Sequence, residues 1–312
     1  MSIKCACRKN CVTIEDNLDE KVKKLRECEN CLDITIKKFS PLSEIIDLND
    51  IDSDYKRCEC GKRPIDIVMS HILKIMIEEE TVGKKATLRR NSPVPLSDFY
   101  YGDLNPQFIN KNTLILIHPD FNSQTAERLI NEVPEVKGVL KGNPSSTIGQ
   151  LNKDSKIENY ELLAGCDIQS NVMRTINGDK IIINKKQSQH HIEVAATSER
   201  KLVKLHNYLE NNDIKKGTAV DAMCGCGILG IYLHKYGFEK VIFNDIYPEA
   251  IENLKENLKT NEITEGYEIY NEAFEDLNLK HGDLCVIDPY PNENIDEIIK
   301  KAEKLADNVI II

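Results

Sequence analysis

Three short apolar segments in the last third of the chain each end at an acidic residue, and the first of them is followed by a glycine-containing turn. Asp221 is followed by a turn that contains Gly225 and Gly227, and later apolar segments end at Asp245 and Asp288. Glycines in a tight turn let the backbone approach a ligand and expose N–H groups at a helix start. A carboxylate about twenty residues further on can accept hydrogen bonds from both hydroxyls of a ribose. The spacing therefore predicts a nucleoside-binding site.

Alternating strands and helices are predicted to position these residues. The predicted order is a strand into Asp221, a helix, strand 240–245, helix 247–258, strand 267–270, strand 284–287, a helix over 295–305 and strand 308–312. This alternation is typical of an open, parallel α/β sheet that binds ligands at the carboxyl ends of its strands. The predicted sheet stops at strand five, and strand 112–117 or a second copy of the chain could cover its edge.

Residues 199–312 resemble the class I S-adenosylmethionine-dependent methyltransferases, which have a Rossmann-like sheet. In that family the glycine turn holds the methionine end of the cofactor, the acid after strand two holds the ribose, and the segment after strand three frames the adenine. The resemblance implies S-adenosylmethionine as the cofactor. It assigns cofactor binding to Asp221, Ala222, Cys224, Gly225, Gly227, Asp245, Ile246, Glu272, Ala273, Phe274 and Asp288.

The segment after strand four carries the expected catalytic residues. The family motif is Asp or Asn, then Pro-Pro, then an aromatic residue, whereas this chain has Asp288-Pro289-Tyr290-Pro291 with the second proline displaced by one position. The resemblance implies that the Asp288 carboxylate accepts an N–H bond from the target amine and that the Tyr290 ring stacks on the base. The expected reaction is methyl transfer to nitrogen.

Other interpretations of the same residues are weighed against this one. A nicotinamide dehydrogenase would also use Gly230 as a third glycine, but Asp-Pro-aromatic has no role in hydride transfer. Taken singly, the glycines could form an ordinary turn, Asp245 could cap a helix, and Asp288-Pro could end a strand. Their joint occurrence in register favours the methyltransferase. The nearby cysteines at 224, 226 and 285 are interpreted as small apolar residues.

Seven of the eleven cysteines lie in the first 60 residues. Paired cysteines on tight turns suit a tetrahedral Zn²⁺ site, because one turn directs two thiolates at the same point. The sequence predicts a structural zinc site, with an iron–sulfur cluster or unligated cysteines as alternatives. The pairs at 28/31 and 58/60 resemble the two knuckles of a zinc ribbon, and the first three could complete a second site or replace one knuckle. The candidate ligands are Cys5, Cys7, Cys11, Cys28, Cys31, Cys58 and Cys60.

The remaining residues form a predicted α+β middle region. The patterns indicate a helix over 64–78, a loop over 88–107, strands at 112–117 and 136–140 around helix 125–131, a linker or long loop over 141–160, and a hairpin over 171–184 that turns at Asn177-Gly178. The predicted domains are a Cys-rich zinc-ribbon-like element (1–63), this middle region (64–195), a candidate for substrate recognition, and the cofactor-binding domain (196–312).

Two further likenesses point to RNA. The hairpin, the connecting segment and the Ser198-Glu199-Arg200 helix start resemble the archaeal tRNA (guanine-N1) methyltransferase and wybutosine-synthesis family. Asn244-Asp245 and the Asp-Pro-aromatic motif resemble the tRNA guanine-N2 dimethyltransferases. These resemblances imply tRNA as the partner. His190 and His191 are interpreted as ordinary surface or packing residues and not as catalysts.

Charge divides the chain unevenly. Residues 196–312 carry 13 Lys/Arg and 22 Asp/Glu, whereas the 195 residues before them carry 28 and 29. A run of basic residues in the front half predicts a phosphate-binding face, with a solvated surface as the alternative: Lys56, Arg57, Lys62, Arg63, Lys84, Lys85, Arg89 and Arg90. The net charge of −10 instead favours a small-molecule acceptor, and a non-catalytic adenosyl-binding zinc protein is a third possibility. The chain has neither a long apolar run nor an apolar N-terminal segment, which predicts a cytoplasmic protein without membrane contact.

Overall fold

The computed structural model of the chain describes residues 11–32, 34–102, 104, 106–149, 158–290 and 293–312. Its front part begins with these elements: α1 (Glu15–Leu25), α2 (Leu42–Ile45), β1 (Arg63–Pro64), α3 (Ile65–Glu78) and α4 (Leu88–Asn91). The predicted helix over 64–78 is confirmed as α3, whose apolar residues are buried on most of its faces. Helix α1 buries Leu18 against Phe99, Val172 and Ile182, so it packs on the middle region and not on the cysteine-rich segment that follows it.

The next elements along the chain are β2 (Val94–Ser97), β3 (Phe99–Tyr101), β4 (Phe108–Ile109), β5 (Leu114–His118), α5 (Ser123–Glu132), β6 (Val136–Lys141) and β7 (Glu161–Gly165). Four of these strands form a mixed sheet, against which α3 and α5 pack, whereas β3 and β4 pair elsewhere, β4 with β1. The strand order is β2-β5-β6-β7, with β5 and β6 parallel. Helix α5 connects these two parallel strands, and the Asn122 side chain caps its start by accepting the N–H of Thr125 at 2.9 Å.

Two predictions for this region are wrong. Residues 88–107 hold two strands where a loop was expected, because Pro95 lies in β2 at the edge of the sheet, where a missing N–H is tolerated. The strand predicted at 112–117 exists as β5, but it pairs with β2 and β6. It therefore does not cover the edge of the C-terminal sheet.

The predicted hairpin is confirmed as β8 (Ile168–Arg174) and β9 (Lys180–Lys186). Gly178 in its turn has φ +90°, a conformation that glycine adopts without strain. Strand β3 adds to β8 to give the order β3-β8-β9. The hairpin thus belongs to a small three-stranded sheet beside the C-terminal domain.

The C-terminal part is an open α/β sheet. Its elements are α6 (Ala195–Asn211), β10 (Thr218–Asp221), α7 (Ile228–Tyr236), β11 (Lys240–Asn244), α8 (Pro248–Thr260), β12 (Tyr267–Tyr270), β13 (Gly282–Ile287), α9 (Asp296–Leu305) and β14 (Ala306–Ile311). The strand order is β12-β11-β10-β13-β14 and every pairing is parallel. The order reverses between β10 and β13, and such a switch point is where open sheets bind ligands. The predicted α/β class is confirmed.

Successive strand residues face opposite sides of this sheet and build two cores. On one side Ala219 and Val241 pack under α6, α7 and α8, and on the other Val220 and Ile242 pack under α9. A Cβ atom at Gly230 would lie 2.2 Å from the Phe243 ring. The third glycine of the turn therefore lets α7 lie close against β11.

Two asparagines, one in α8 and one that caps its carboxyl end, join the hairpin to the C-terminal sheet. Asn257 accepts the N–H of Asn184 through Oδ1 at 2.8 Å and donates through Nδ2 to the Cys226 carbonyl at 3.0 Å. Asn261 accepts the N–H of Ile182 at 3.0 Å and donates to its carbonyl at 2.7 Å. These buried side chains replace a neighbouring strand along β9.

Three cations of the predicted phosphate-binding face lie in the interior. The Arg63 side chain is fully buried and forms a bidentate pair with the buried Glu135 carboxylate. Arg57 reaches the same carboxylate at 2.9 Å, and buried Lys62 donates to the Arg26 carbonyl. These three cations are held by partners inside the front part, two by a carboxylate and one by a backbone carbonyl, so they are not available to phosphates.

Replacing Glu135 with Gln should strongly destabilise the front part. The amide cannot neutralise two buried guanidinium groups, so the free energy of unfolding should fall by about 3–5 kcal/mol. Urea denaturation followed by circular dichroism measures the change. Glu297→Gln is the matched control, because Glu297 pairs with Lys300 on an exposed surface and its loss should leave the midpoint unchanged. Equal midpoints for the two variants would contradict the structural role of the buried cluster.

Candidate cofactor and active site

The glycine turn connects β10 to α7 and places Asp221 beneath it. The Asp221 carboxylate is buried, and its Oδ2 accepts the N–H of Gly230 at 2.8 Å. Its Oδ1 is buried and lacks a hydrogen-bond partner among the described residues. Burial, with a smaller contribution from the charges of Asp288 and Asp245, raises the pKa of Asp221 to about 8 against the effect of the Gly230 N–H bond. The unsatisfied oxygen is suited to a ligand that brings a positively charged N–H donor.

Asp245 follows β11 and closes the turn from the neighbouring strand. Its Oδ2 accepts the N–H of Gly225 at 2.7 Å, and its Oδ1 accepts the N–H of Tyr247 at 2.8 Å. Gly225 has φ +51°, and a Cβ atom there would meet no atom within 4 Å. Burial raises the pKa of Asp245 against the effect of the two N–H bonds. Each carboxylate oxygen has a further lone pair, so the group can accept ligand hydroxyls.

The segment after β12 supplies an apolar wall. Phe274 is buried behind it, and Ala273 is half-buried. Ile246 lines the same cavity and is 55% exposed, which is unusual for an aliphatic side chain inside a pocket. Glu272 stands at the rim, where its N–H faces the Asn244 side chain at 3.4 Å. A planar, apolar ring between Ile246 and this segment would cover the exposed surface.

Asp288 follows β13 and forms an ion pair that the sequence did not predict. Lys201 Nζ lies 2.6 Å from Asp288 Oδ2 and 2.9 Å from a Glu193 oxygen. Burial raises the pKa of Asp288, and the charge and hydrogen bond of Lys201 oppose this rise. Lys201 lies in the first turns of α6, directly after Ser198-Glu199-Arg200. Nothing in its spacing distinguishes it from other helix lysines, so only the packing of α6 on the sheet reveals it.

Tyr290 is tied to the middle region. Its hydroxyl donates to the Ile148 carbonyl at 3.0 Å, and its N–H donates to the Glu293 carboxylate at 3.0 Å. Its ring meets the His191 ring edge to face, with centroids 6.3 Å apart. Pro291, the displaced proline of the motif, lies outside the described residues.

These groups line one cavity of about 700 Å³ at the carboxyl ends of the strands. The predicted residues that line it are Asp221, Ala222, Cys224, Gly225, Asp245, Ile246, Glu272, Ala273, Phe274, Asp288 and Tyr290. Gly227 is not among the lining residues. It begins α7 with φ +95° and packs beside Leu254, so its role is to shape the turn.

The middle region forms the opposite wall of the cavity. Its lining side chains include Asn171, Lys185, His190, His191 and Glu193. The two histidines therefore line the cavity, whereas the sequence predicted ordinary surface or packing residues. Burial lowers the pKa of His190 to about 3 and also lowers that of His191, so both rings are neutral at pH 7. Nδ1 of His190 lies 3.4 Å from the Cys226 sulfur.

Cysteines 224, 226 and 285 behave as apolar residues. Burial raises the pKa of the Cys226 and Cys285 thiols to about 12 and that of Cys224 well above its ordinary value. Thiols of this kind are poor nucleophiles at neutral pH. The interpretation of these cysteines as small packing residues agrees with this environment.

Four cysteines of the front part converge in a separate cluster. The sulfur atoms of Cys28, Cys31, Cys58 and Cys60 all lie within 4.8 Å of one another. Cys28 lies 3.6 Å from Cys31 and 3.4 Å from Cys58. Such distances suit thiolates around a tetrahedral Zn²⁺ ion at about 2.3 Å from each sulfur. The donor set fits zinc, and both predicted knuckles contribute to it.

Cys11 does not join this cluster and does not replace a knuckle. It is buried in a small core with Cys166 and Ile168, and its sulfur lies 3.9 Å from that of Cys166. The hydrogen bond from the Thr13 N–H to Asn184 Oδ1, at 2.8 Å, draws this segment onto the hairpin. Cys5 and Cys7 lie outside the described residues.

No helix in the described ranges is both long and apolar enough to cross a membrane.

A family model agrees with the site. The model of N2,N2-dimethylguanosine tRNA methyltransferases matches residues 180–305, which span β9, the glycine turn and the Asp-Pro-Tyr segment. The match spans less than half of the chain and agrees with the predicted resemblance to class I S-adenosylmethionine-dependent methyltransferases related to tRNA methyltransferases.

Curated and solved relatives are more distant or match shorter segments. A ribosomal protein L11 methyltransferase from Tolumonas auensis is 43% identical over 63 residues, which are 20% of this chain and 22% of that protein. One from Vibrio parahaemolyticus is 41% identical over 63 residues, covering 20% and 21%. The match thus spans about a fifth of the length of these curated relatives.

Among solved structures, TYW2 from P. horikoshii in complex with MeSAdo is 21% identical, with 77% of each chain covered and a TM-score of 0.42. Trm5b from Pyrococcus abyssi is 17% identical, with 63% of this chain and 55% of that chain covered and a TM-score of 0.41.

Replacing Cys31 and Cys60 together with Ser should remove one zinc ion per chain. The double change leaves only two thiolates of the four-cysteine cluster, which is too few for a closed tetrahedral site. Mass spectrometry of the metal content of purified protein measures the loss. Cys285→Ala is the control, since this buried cysteine lies in β13 and its removal should leave the zinc content unchanged. A double variant that keeps the full zinc content would show that the cluster is not a metal site.

Proposed function

We propose that this chain is an S-adenosylmethionine-dependent methyltransferase that methylates a base nitrogen in RNA, with tRNA as the substrate class. The observation that carries the proposal is the convergence of Asp221, Asp245 and Asp288 on one cavity, with an unsatisfied oxygen on the first and a lysine on the third. The match of residues 180–305 to a tRNA methyltransferase model supports the choice of substrate.

The residues present fit the cofactor. Asp221 Oδ1 would accept an N–H from the amino group of the methionine end, and the open space at Gly225 would admit the chain that follows. Asp245 would hold the ribose hydroxyls, and Ile246 with Phe274 would enclose the adenine. When bound, the cofactor supplies a methyl group on a positively charged sulfur, which is already activated for transfer.

The protein then has to position the acceptor and keep its nitrogen lone pair free. Lys201 occupies Oδ2 of Asp288, and its charge favours the ionised carboxylate in a buried setting. The other oxygen of Asp288 can accept an N–H bond from the target base, which aligns the lone pair. Tyr290, fixed through the Ile148 carbonyl, offers a ring on which the base can stack. Alignment of this kind supplies most of the acceleration when the donor is already reactive.

The other parts of the chain support the chemistry indirectly. Zinc at the four-cysteine cluster would hold together a segment that has little core of its own. The middle region, which provides one wall of the cavity, is proposed to recognise the substrate. The domain limits at residues 63 and 195, a cytoplasmic location and a homodimer stay predictions.

Replacing Asp245 with Ala should weaken binding of S-adenosylmethionine and S-adenosylhomocysteine by roughly 10- to 100-fold. The change removes a charged acceptor for two hydroxyls, each hydrogen bond of this kind contributing about 1.5–3 kcal/mol before partial replacement by water. Isothermal titration calorimetry of the zinc-loaded protein measures the affinity. Asp276→Ala, a change at an exposed acid in the turn after β12, is the control and should leave affinity unaltered.

A second assay completes the test of the proposed function. If cofactor binding depends on Asp245, the wild-type protein should also transfer labelled methyl groups from the donor to total tRNA. If the wild-type protein binds neither cofactor form, the proposal is wrong. If it binds both and labels only small molecules, the RNA substrate is wrong and the methyltransferase activity stands.

Replacing Lys201 with Met should shift the acidic limb of the pH–rate profile to higher pH. The lysine lowers the pKa of Asp288, so its removal raises that pKa and a higher pH is then needed to ionise the carboxylate. The rate should therefore fall on the acidic side of the profile and recover as the pH is raised. The measurement is kcat/KM for methyl transfer from about pH 5.5 to about pH 9.

Two variants separate this role from simple packing. Lys201→Arg keeps the cation and should retain the wild-type profile. Lys204→Met removes a cation that lowers the pKa of Asp288 less and should shift the limb less. A Lys201→Met enzyme that is slowed equally at every pH would show that the lysine only packs.

A further inference from the structure

One exposed surface of the front part is basic although the chain as a whole is acidic. It consists of two short segments, 37–39 and 84–90, whose exposed side chains include the cations Lys37, Lys38, Lys84, Lys85, Arg89 and Arg90. Two of them follow each other in the first segment and were absent from the basic run recognised in the sequence. We call these six residues, together with Phe39, the basic face.

Backbone contacts bring the two segments together and hold them. The Arg89 N–H donates to the Lys38 carbonyl at 2.9 Å, and the Leu42 N–H donates to the Ala86 carbonyl at 3.0 Å. Pro41 and Thr87 form an isolated antiparallel bridge between these contacts. The Leu42 and Ala86 side chains are buried below, so the cations project from a packed base.

Most of these cations lack a counter-charge in the part of the chain that the structure describes. Lys38 pairs with Asp66 at 2.8 Å. The other five form no ion pair with any residue that the structure describes. The interior basic residues behave differently, because Arg57 and Arg63 are both neutralised by Glu135. A cluster of five unneutralised cations on a chain of net charge −10 is a surface suited to a polyanion.

Phe39 adds a second, independent feature. Its side chain is 74% exposed, and it follows Lys38 directly in the chain. An exposed ring beside cations is the combination with which proteins hold unpaired nucleotides, because the bases stack on the ring and the phosphates meet the cations. A purely electrostatic surface or an acidic protein partner would not require the ring.

We propose that the basic face binds an unpaired segment of the RNA substrate, with phosphates on Lys37, Arg89 and Arg90 and one base stacked on Phe39. This inference rests on the proposed RNA substrate and adds where that RNA is held. It assigns to the front part an RNA contact made by side chains outside the cavity.

Fluorescence anisotropy with labelled total tRNA, without methyl donor, tests the proposal. The triple variant Lys37→Gln/Arg89→Gln/Arg90→Gln should bind at least about tenfold more weakly, and the slope of log affinity against log salt should fall by about two to three. Phe39→Leu should bind about fivefold more weakly or worse with an unchanged slope, and Phe39→Tyr should restore the affinity. Zinc content and thermal midpoint equal to wild type establish that each variant is folded.

The control is Lys215→Gln/Lys235→Gln/Lys255→Gln, which removes three exposed cations from the C-terminal domain and should bind tRNA as the wild type does. If both triple variants bind equally well, the basic face is not the contact. If polyglutamate displaces tRNA at equal charge concentration, or if Phe39→Leu binds normally, the commitment to RNA is overturned. Methyl transfer to tRNA that persists unchanged in the Lys37/Arg89/Arg90 variant would sink this inference and leave the proposed function intact. If the wild-type protein binds tRNA through the basic face but never methylates it, the proposed function fails and the RNA contact at the basic face stands.

Discussion

Three carboxylates end three neighbouring parallel strands and face one cavity, and the surrounding structure has to offset their mutual repulsion. Asp221 is the most deeply buried, and the charges of Asp245 and Asp288 add to the effect of burial on its pKa. Backbone N–H groups of the glycine turn, of α7 and of the α8 start donate to two of the three, although one oxygen of Asp221 receives no bond from a described residue. Lys201 neutralises the third. The tight turn, the helix starts and the placement of α6 all serve this arrangement.

The same arrangement explains what kind of ligand the cavity suits. Acidic residues outnumber lysines in the lining of this cavity, so the site is short of positive charge, and a buried Asp221 oxygen has no hydrogen-bond partner among the described residues. The cofactor proposed here carries both a sulfonium and an ammonium group, so its binding would offset the mutual repulsion of these acids. An anionic dinucleotide would add to that cost. The charge of the site therefore argues against a nicotinamide cofactor independently of the Asp-Pro-aromatic motif.

The C-terminal sheet could be predicted because its signals are local. Each strand of the parallel sheet is a short apolar run, and the glycines and acids follow at regular distances. The front part could not be predicted in the same way, since its organisation depends on contacts between distant residues. Arg63 and Glu135 are 72 positions apart, and their pairing turns a predicted surface cation into an interior one. Pro95 suggested a loop, yet it lies on an edge strand. In the sequence Lys201 does not differ from other helix lysines, and only the packing of α6 brings it to Asp288 after β13.

The asparagine contacts between α8 and β9 set a limit on how this protein can be divided. Asn257 joins the hairpin to the glycine turn, and Asn261 takes both hydrogen bonds of Ile182. A cut before α6 would leave these buried amides and the matching backbone groups without partners, at about 1–3 kcal/mol for each. The hairpin and the cofactor-binding domain therefore depend on each other for these hydrogen bonds and have to be kept together. Any exchange of substrate-recognition modules, by recombination or by design, has to be made ahead of β8.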